Sequence, residues 1–170
     1  MNNMQIRRLT PDDAATYRAL RLRALREHPD AFTSSHTEEG QRPVEDSAWR
    51  LATKMFWGAW DGDSLVGMVG LEREARTKNR HKATVVGMYV AAECAGAGLG
   101  RRLFDALLTQ AQHDGIGMLV LTVTDGNANA THLYESLGFR SFGVEPRAIN
   151  VDGRYFGKNH MFLDLTGLPS

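Results

Sequence analysis

Cysteine is almost absent from the sequence, and long apolar runs are missing. Cys94 is the one cysteine in 170 residues, so no disulfide can form within the chain. This usage is typical of a reducing compartment, and we expect a cytoplasmic protein. The first residues show no basic segment followed by an apolar stretch, so we expect no secretory signal. No apolar run approaches the ~18 residues that span a bilayer, so we expect no association with membranes.

An excess of charge of either sign is also lacking. Lysine and arginine together number 20, aspartate and glutamate together number 20, and the formal net charge is zero. A neutral chain has no general attraction to nucleic acid, and we expect no such partner. The histidines and acidic residues never take a metal-ligand spacing such as His-Glu-x-x-His, so the sequence predicts no metal site.

The remaining composition is that of an ordinary folded protein, with 42% hydrophobic and 24% charged residues. There is no repeat, low-complexity tract or flexible linker, which predicts a single domain over residues 1–170. Hydrophobic periodicity and turn signals predict an α/β protein with a mixed sheet, in the order β-α-α-β-β-β-α-β-α-β-β. The predicted helices cover 11–27, 44–54, 101–113 and 127–137, and the predicted strands cover 4–9, 55–60, 64–74, 83–91, 118–123, 139–150 and 154–165. Residues 30–45 are predicted to be irregular.

The turn between the strand at 83–91 and the following helix has the chemistry of an anion site. Residues 94–100 are small except for Leu99, so backbone N–H groups there can approach a ligand closely. A helix start adds unpaired donors and a partial positive charge. Arg101 and Arg102 are cations in the first turn of the helix, where the helix dipole disfavours positive charge. A bound anion would offset this cost, so their position favours a phosphate ligand. The structural alternative is a tight turn followed by solvated arginines.

Two common nucleotide motifs fail on specific residues. A dinucleotide fingerprint that starts at Gly96 has Arg101 at its sixth place, and one that starts at Gly98 has Leu103 there. No Gly-Lys-Ser/Thr follows the glycines, so a phosphate-binding loop of the NTPase type is also excluded.

The turn resembles the pyrophosphate signature of the GCN5-related N-acetyltransferase (GNAT) family, Arg/Gln-x-x-Gly-x-Gly/Ala. Ala95-Gly96-Ala97-Gly98-Leu99-Gly100 matches it except at Ala95, where a side chain is lost, and we expect Arg101 or Arg102 to supply that charge. A second family pattern, Asn-x-x-Ala-x-x-Leu-Tyr-x-x-x-Gly-Phe, is matched by residues 127–139 at every named place. The resemblance implies the GNAT acyl-CoA N-acyltransferase fold, with acetyl-CoA as cosubstrate. The residues it implies for cofactor binding are Met88, Tyr89, Val90, Ala95, Gly96, Ala97, Gly98, Leu99, Gly100, Arg101, Asn127 and Tyr134.

The resemblance also implies roles in the reaction. Asn127 contacts the pantetheine arm, and Tyr134 directs its hydroxyl at the sulfur and protonates the leaving thiolate. Asn127 could equally serve as a helix N-cap, and Tyr134 as a core aromatic. Gly87 either marks the bulge that opens the sheet or relieves packing. The general base stays open among Glu72, Glu74, His81 and His160.

The acceptor is less well specified. The resemblance places its pocket between segments 32–44 and 145–158, where Glu38 and Glu39 in the same segment as Phe32 suit a cationic amine. We therefore predict an enzyme that transfers acetyl to a primary amine of a small molecule or amino acid derivative, by direct attack in a ternary complex. A protein or peptide N-terminal acetyltransferase and a non-catalytic acyl-CoA sensor are the alternatives. A homodimer is one assembly that the sequence leaves open.

Overall fold

The computed structural model describes residues 4–167, which form seven strands and five α-helices. The strands are β1 (Met4–Arg8), β2 (Met55–Asp61), β3 (Ser64–Arg73), β4 (Lys82–Val90), β5 (Met118–Thr124), β6 (Arg140–Val151) and β7 (Arg154–Asp164). The helices are α1 (Ala14–Glu27), α2 (His36–Gly40), α3 (Val44–Thr53), α4 (Leu99–His113) and α5 (Ala128–Ser136). Within these residues, no helix is both long and apolar enough to cross a membrane.

The strands form one mixed sheet in the order β1-β2-β3-β4-β5-β7-β6. All neighbours are antiparallel except β4 and β5, which are parallel and joined through α4. A parallel pair needs such a crossover because its strands run in the same direction. The predicted mixed α/β fold, with its central β-α-β unit, is confirmed.

Local chemistry determines where α1 begins and ends. The Thr10 backbone N–H donates to Asp13 Oδ2 at 2.8 Å in a capping box, and Pro11 opens the short 3-10 turn that leads into α1. At the other end, His28 leaves helical geometry directly before Pro29. Pro29 cannot continue the helix because it lacks a backbone N–H and restricts the residue before it.

The helices cover both faces of the sheet. A Cβ on Gly67 would lie 3.3 Å from Leu103 of α4, whereas Phe56 meets the ring of Tyr17 of α1 edge-on at 5.3 Å. Phe56 pairs with Gly70, three residues beyond Gly67, so the two contacts fall on opposite faces. The core therefore has two layers, one on each side of the sheet.

Most predicted bounds differ by one to three residues, and two differences have a clear physical cause. Segment 30–45 is not wholly irregular, because α2 lies within it and gives three helices before β2 instead of two. Ser35 caps α2, its Oγ accepting the Glu38 N–H at 3.0 Å. Helix α4 starts at Leu99 and not at Arg101, because Leu99 is buried in the core while its backbone is already helical.

Candidate active site

Strands β4 and β5 separate part-way along their length. They pair only at three positions, where Lys82, Ala83 and Thr84 face residues 118–120. Beyond Thr84 the β3–β4 register shifts by one residue, which is a β-bulge in β4. Gly87 lies in this bulge and has a φ of +62°. A bulge adds twist and bends its strand away from its neighbour, and glycine adopts this φ without strain. The edge of β4 thus opens onto a cleft.

The cleft encloses about 350 Å³ between the separated strands. Asn127 and Tyr134 both line it from α5, consistent with their spacing of two helical turns. Met88 lines the opposite wall on β4. Residues that lie far apart in the chain therefore meet where the sheet is split.

Tyr134 is held rigidly at the base of the cleft. Its ring packs edge-on against Phe104 at 5.7 Å and Phe139 at 6.0 Å, and only 7% of the residue is exposed. Its hydroxyl hydrogen-bonds to none of residues 4–167. Burial away from water raises the pKa of Tyr134 to about 12. The phenol is thus a fixed, protonated donor that faces a cavity.

Asn127 acts as the N-cap of α5. Its Oδ1 accepts the Ala130 N–H at 3.2 Å, which orients the side chain at the mouth of the cleft. The structural reading of Asn127 is therefore correct. It is compatible with ligand binding because the cap uses the oxygen alone and leaves the side-chain NH2 group available.

The glycine turn presents a row of unused donors. Gly96 and Gly98 have φ values of +81° and +75°, and no heavy atom lies within 4 Å of where a Cβ would stand on either. The backbone N–H groups of residues 96–101 donate no hydrogen bond within the described chain. They precede and form the first turn of α4, whose dipole adds positive potential. Amides at a helix start that donate no hydrogen bond can bind a diphosphate.

The arginines after the turn point in different directions. Arg101 Nη2 donates to Ser136 Oγ at 2.7 Å, which holds it beside α5. Arg102 Nη2 donates to the Met4 carbonyl at 3.2 Å, and this contact draws Arg102 towards β1. Ala95 is exposed and offers backbone only. Of the two arginines proposed to replace the missing side chain, Arg101 keeps the better position.

An ionic network ties the turn to α1. Arg23 pairs with Glu93, which directly precedes the glycine turn, through contacts of 2.6 and 2.8 Å. Arg23 also bonds Glu27 at 2.8 Å, and Glu27 accepts the Tyr89 hydroxyl at 2.7 Å. The Tyr89 side chain is thereby occupied, so any contact of Tyr89 with a ligand comes from its backbone.

One of the four candidate bases lies in the cleft. Glu72 lines it from β3 and pairs with Lys54 at 2.9 Å. His160 faces Glu145 at 3.4 Å on the β6–β7 pair. Glu74 accepts from Asn79, and His81 is exposed before β4. Of the four, Glu72 is thus the one that lines the cleft within the described residues, although His160 pairs with Thr122 of β5.

The far end of the cleft is lined partly by the predicted acceptor segments. Phe32, Thr33 and Ser34 come from the first segment, and Lys158 comes from the second. The acids expected beside Phe32 are absent from this lining. Glu39 forms a bidentate pair with Arg21 instead, at 3.0 and 3.1 Å.

Two arginines of the cleft were missed from the sequence. Arg21 on α1 and Arg50 on α3 both line it, although neither belongs to a motif or to a predicted acceptor segment.

In the described part of the chain, no three His, Cys, Asp or Glu side chains are grouped so that they could hold a metal ion.

Comparison with known proteins identifies the class. The sequence model of the acetyltransferase (GNAT) family matches residues 21–139. Among curated relatives, a mycothiol acetyltransferase of Geodermatophilus obscurus is 32% identical over 128 residues, which are 71% of this chain and 41% of that protein. The N-alpha-acetyltransferase RimI of Mycobacterium tuberculosis is 36% identical over 125 residues, 68% of this chain and 76% of that protein. The chain belongs to the GNAT acetyltransferase family, as its two motifs predicted.

Solved structures agree on the fold. A GNAT-family acetyltransferase of Streptococcus pneumoniae aligns with a TM-score of 0.88 at 24% identity, over 96% of this chain and 100% of that one. A Salmonella typhimurium protein solved with its cofactor acetyl-CoA aligns with a TM-score of 0.84 at 22% identity, over 99% and 97% of the two chains. The split sheet is thus built on the GNAT fold.

Proposed function

We propose that the protein is an N-acetyltransferase that moves acetyl from acetyl-CoA to a primary amine of a small molecule or amino acid derivative. The observation that carries the proposal is the row of six free amides beside a cleft that contains a buried, unpartnered tyrosine hydroxyl. Family membership supports it, since acetyl-CoA is the donor that this family of acetyltransferases uses. The proposal assigns both substrates to one domain.

Acetyl-CoA binding follows from the unused hydrogen-bonding groups. The diphosphate accepts hydrogen bonds from the amides of residues 96–101, with Arg101 at the edge of the site. The pantetheine arm then enters the split sheet and pairs with the backbone of Met88, Tyr89 and Val90, as an added strand does. The side-chain NH2 of Asn127 donates to the arm from the opposite wall.

The reaction needs one proton removed and one supplied. The neutral amine attacks the thioester carbon, and the carbonyl oxygen becomes an oxyanion that a backbone N–H of β4 stabilises. Collapse of this intermediate breaks the C–S bond, and Tyr134 protonates the departing sulfur. Tyr134 is then a phenolate. The proton that the amine loses passes through the cleft to this phenolate and restores the neutral phenol. No covalent enzyme intermediate is required.

Glu72 is the proposed proton acceptor for the amine. It is the only one of the four candidates that lines the cleft in the described chain, and a carboxylate can act as a general base. Glu74, His81 and His160 do not line the cleft, so each would need an intervening group to receive the proton.

Two other functions use the same fold. A protein N-terminal acetyltransferase is supported by the similarity to RimI. A non-catalytic sensor would bind acetyl-CoA without turnover, but it needs no hydroxyl directed at the sulfur. Release of free thiol from acetyl-CoA with a panel of small amines, compared with a panel of peptides, separates the three. No thiol release in either panel would contradict catalysis.

The cellular setting is proposed on the same basis. Acetyl-CoA is a cytoplasmic metabolite, and an unpaired Cys94 suits a reducing compartment, so we place the protein in the cytoplasm. The homodimer remains a prediction, which sedimentation equilibrium decides.

A further inference from the structure

The cleft holds more positive than negative charge. Its lining contains three cationic side chains, Arg21, Arg50 and Lys158, and one carboxylate, Glu72. Two of these charges are already neutralised. Arg21 is paired with Glu39, both side chains being less than one-fifth exposed, and Glu72 is paired with Lys54. Arg50 and Lys158 are left.

Neither of these two cations has a carboxylate in direct salt-bridge contact, although Glu39 and Glu72 attract Arg50 and Glu145 attracts Lys158 from further away. Within residues 4–167, no carboxylate oxygen lies within 4.0 Å of Arg50 or of Lys158. Arg50 Nη1 reaches only the Tyr17 hydroxyl, at a long 3.4 Å. Lys158 Nζ donates to Thr33 Oγ1 at 3.0 Å. Both line the cleft and keep N–H groups for which the described chain provides no hydrogen-bond acceptor.

Both cations are partly buried, and their surroundings affect them differently. Loss of hydration lowers the pKa of Lys158, whereas for Arg50 that loss is outweighed by Tyr17, Glu39 and Glu72, which raise its pKa. Glu145 stands across from Lys158 on β6, but it is exposed and its nearest ionic contact is His160. Because Glu39 and Glu72 are already paired with Arg21 and Lys54, the cleft keeps an excess of positive charge, and an anion bound there gains charge-assisted hydrogen bonds.

We infer that the acceptor amine carries an anionic group, of which a carboxylate is the simplest, and that Arg50 and Lys158 bind it. This inference rests on the proposed acetyltransferase function and specifies its acceptor. An amino acid is neutral overall, so it enters a cationic cleft without penalty, whereas a simple ammonium ion or a polyamine is repelled. The same positive field lowers the pKa of the bound ammonium, which favours the neutral nucleophile.

The test uses matched acceptors. Leucine is compared with 3-methylbutylamine and phenylalanine with 2-phenylethylamine, which differ only in the carboxylate. The measured quantity is the ratio of kcat/KM for acid over amine, by thiol release at constant ionic strength. The full-length protein is compared with Arg50→Gln and Lys158→Gln, because the change in the ratio cancels the different basicity of the amines.

We expect each substitution to lower the ratio about tenfold or more, the usual effect of losing one charge-assisted hydrogen bond. Arg50→Lys retains the charge and should keep most of the ratio, which also controls for misfolding at this position. Arg26→Gln and Lys78→Gln, matched changes at exposed residues outside the cleft, should leave it unchanged.

Two outcomes overturn the inference while the proposed function stands. One is turnover of the simple amines with no turnover of the amino acids. The other is a ratio that both Gln variants leave unaltered. Absence of thiol release with every acceptor instead contradicts the proposed function itself.

Discussion

Tyr134→Phe removes one hydroxyl and leaves the surrounding packing intact. The ring keeps its edge-on contacts with Phe104 and Phe139, and the lost oxygen bonds to no other described group. No buried partner is therefore left unsatisfied, and we expect the free energy of unfolding to change by less than about 1 kcal/mol. The effect on turnover should be much larger. Loss of a positioned proton donor typically costs at least 10²-fold, and we expect a fall of about 10²–10³, or roughly 2.7–4 kcal/mol in the barrier.

The raised pKa of Tyr134 also predicts how the loss of turnover in Tyr134→Phe depends on pH. With its pKa at about 12, Tyr134 stays protonated throughout the usual assay range. The factor lost by Tyr134→Phe should therefore be constant between about pH 6 and pH 10, and a donor with the ordinary pKa near 10 would instead lose its advantage at the upper end.

The assay is thiol release at saturating acetyl-CoA, together with calorimetric measurement of the acetyl-CoA Kd. Tyr155→Phe makes the same chemical change at an exposed residue of β7 and is the control, because Tyr155 does not line the cleft although it lies in segment 145–158. An unchanged kcat in Tyr134→Phe would refute the role of proton donor. A weakened Kd with unchanged kcat would assign the residue to binding alone.

Three further perturbations test the turn, the core and a surface pair. Gly98→Asp should abolish measurable acetyl-CoA binding in calorimetry, whereas Gly98→Asn should retain part of it. The Asp and Asn side chains have the same shape and impose the same backbone strain, so the two variants differ only in charge. Equal affinities of the two variants would contradict binding of the diphosphate at this turn. Gly70→Ala should lower the free energy of unfolding by about 1–3 kcal/mol in denaturant titration, since its Cβ would stand 2.4–2.8 Å from ring atoms of Phe56, and an unchanged midpoint would contradict this packing. Asp13→Asn should lower Tm at neutral pH but not in strong acid. The bonds from Arg7 lower the pKa of Asp13, so their stabilisation is present above about pH 4 and is lost as the pH falls through the folded value; a Tm difference that persisted in acid would argue against it.

The glycine turn and the flanking elements could be predicted because short-range chemistry determines them. A run of small residues between an apolar strand and an amphipathic helix predicts a tight strand–turn–helix connection. The second motif, which ends at Phe139, likewise predicts where α5 and the following strand lie. The position of the open amides, the cap at Asn127 and the bulge at Gly87 all follow from residues near them in the chain. The start of α4 differed by two residues because Leu99 packs into the core while it belongs to the first helical turn.

The acceptor end could not be predicted because it is assembled from distant segments. Arg21, Arg50 and Lys158 come from two helices and a strand, and no local pattern marks them as neighbours. Glu39 looked like a ligand for a cationic amine, yet its pairing with Arg21 removes it from that role. Helix α2, which brings Glu39 to Arg21, has no apolar period. Its one readable signal was the capping pair Ser35 and Glu38.

The central claim is that backbone amides of residues 96–101 bind the diphosphate of coenzyme A. A crystal structure of the protein grown with coenzyme A measures this directly. We predict diphosphate oxygens within about 3.2 Å of several of these nitrogens, with the pantetheine arm in the cleft beside Tyr134. Coenzyme A bound elsewhere, or the turn filled by another part of the chain, would contradict the account.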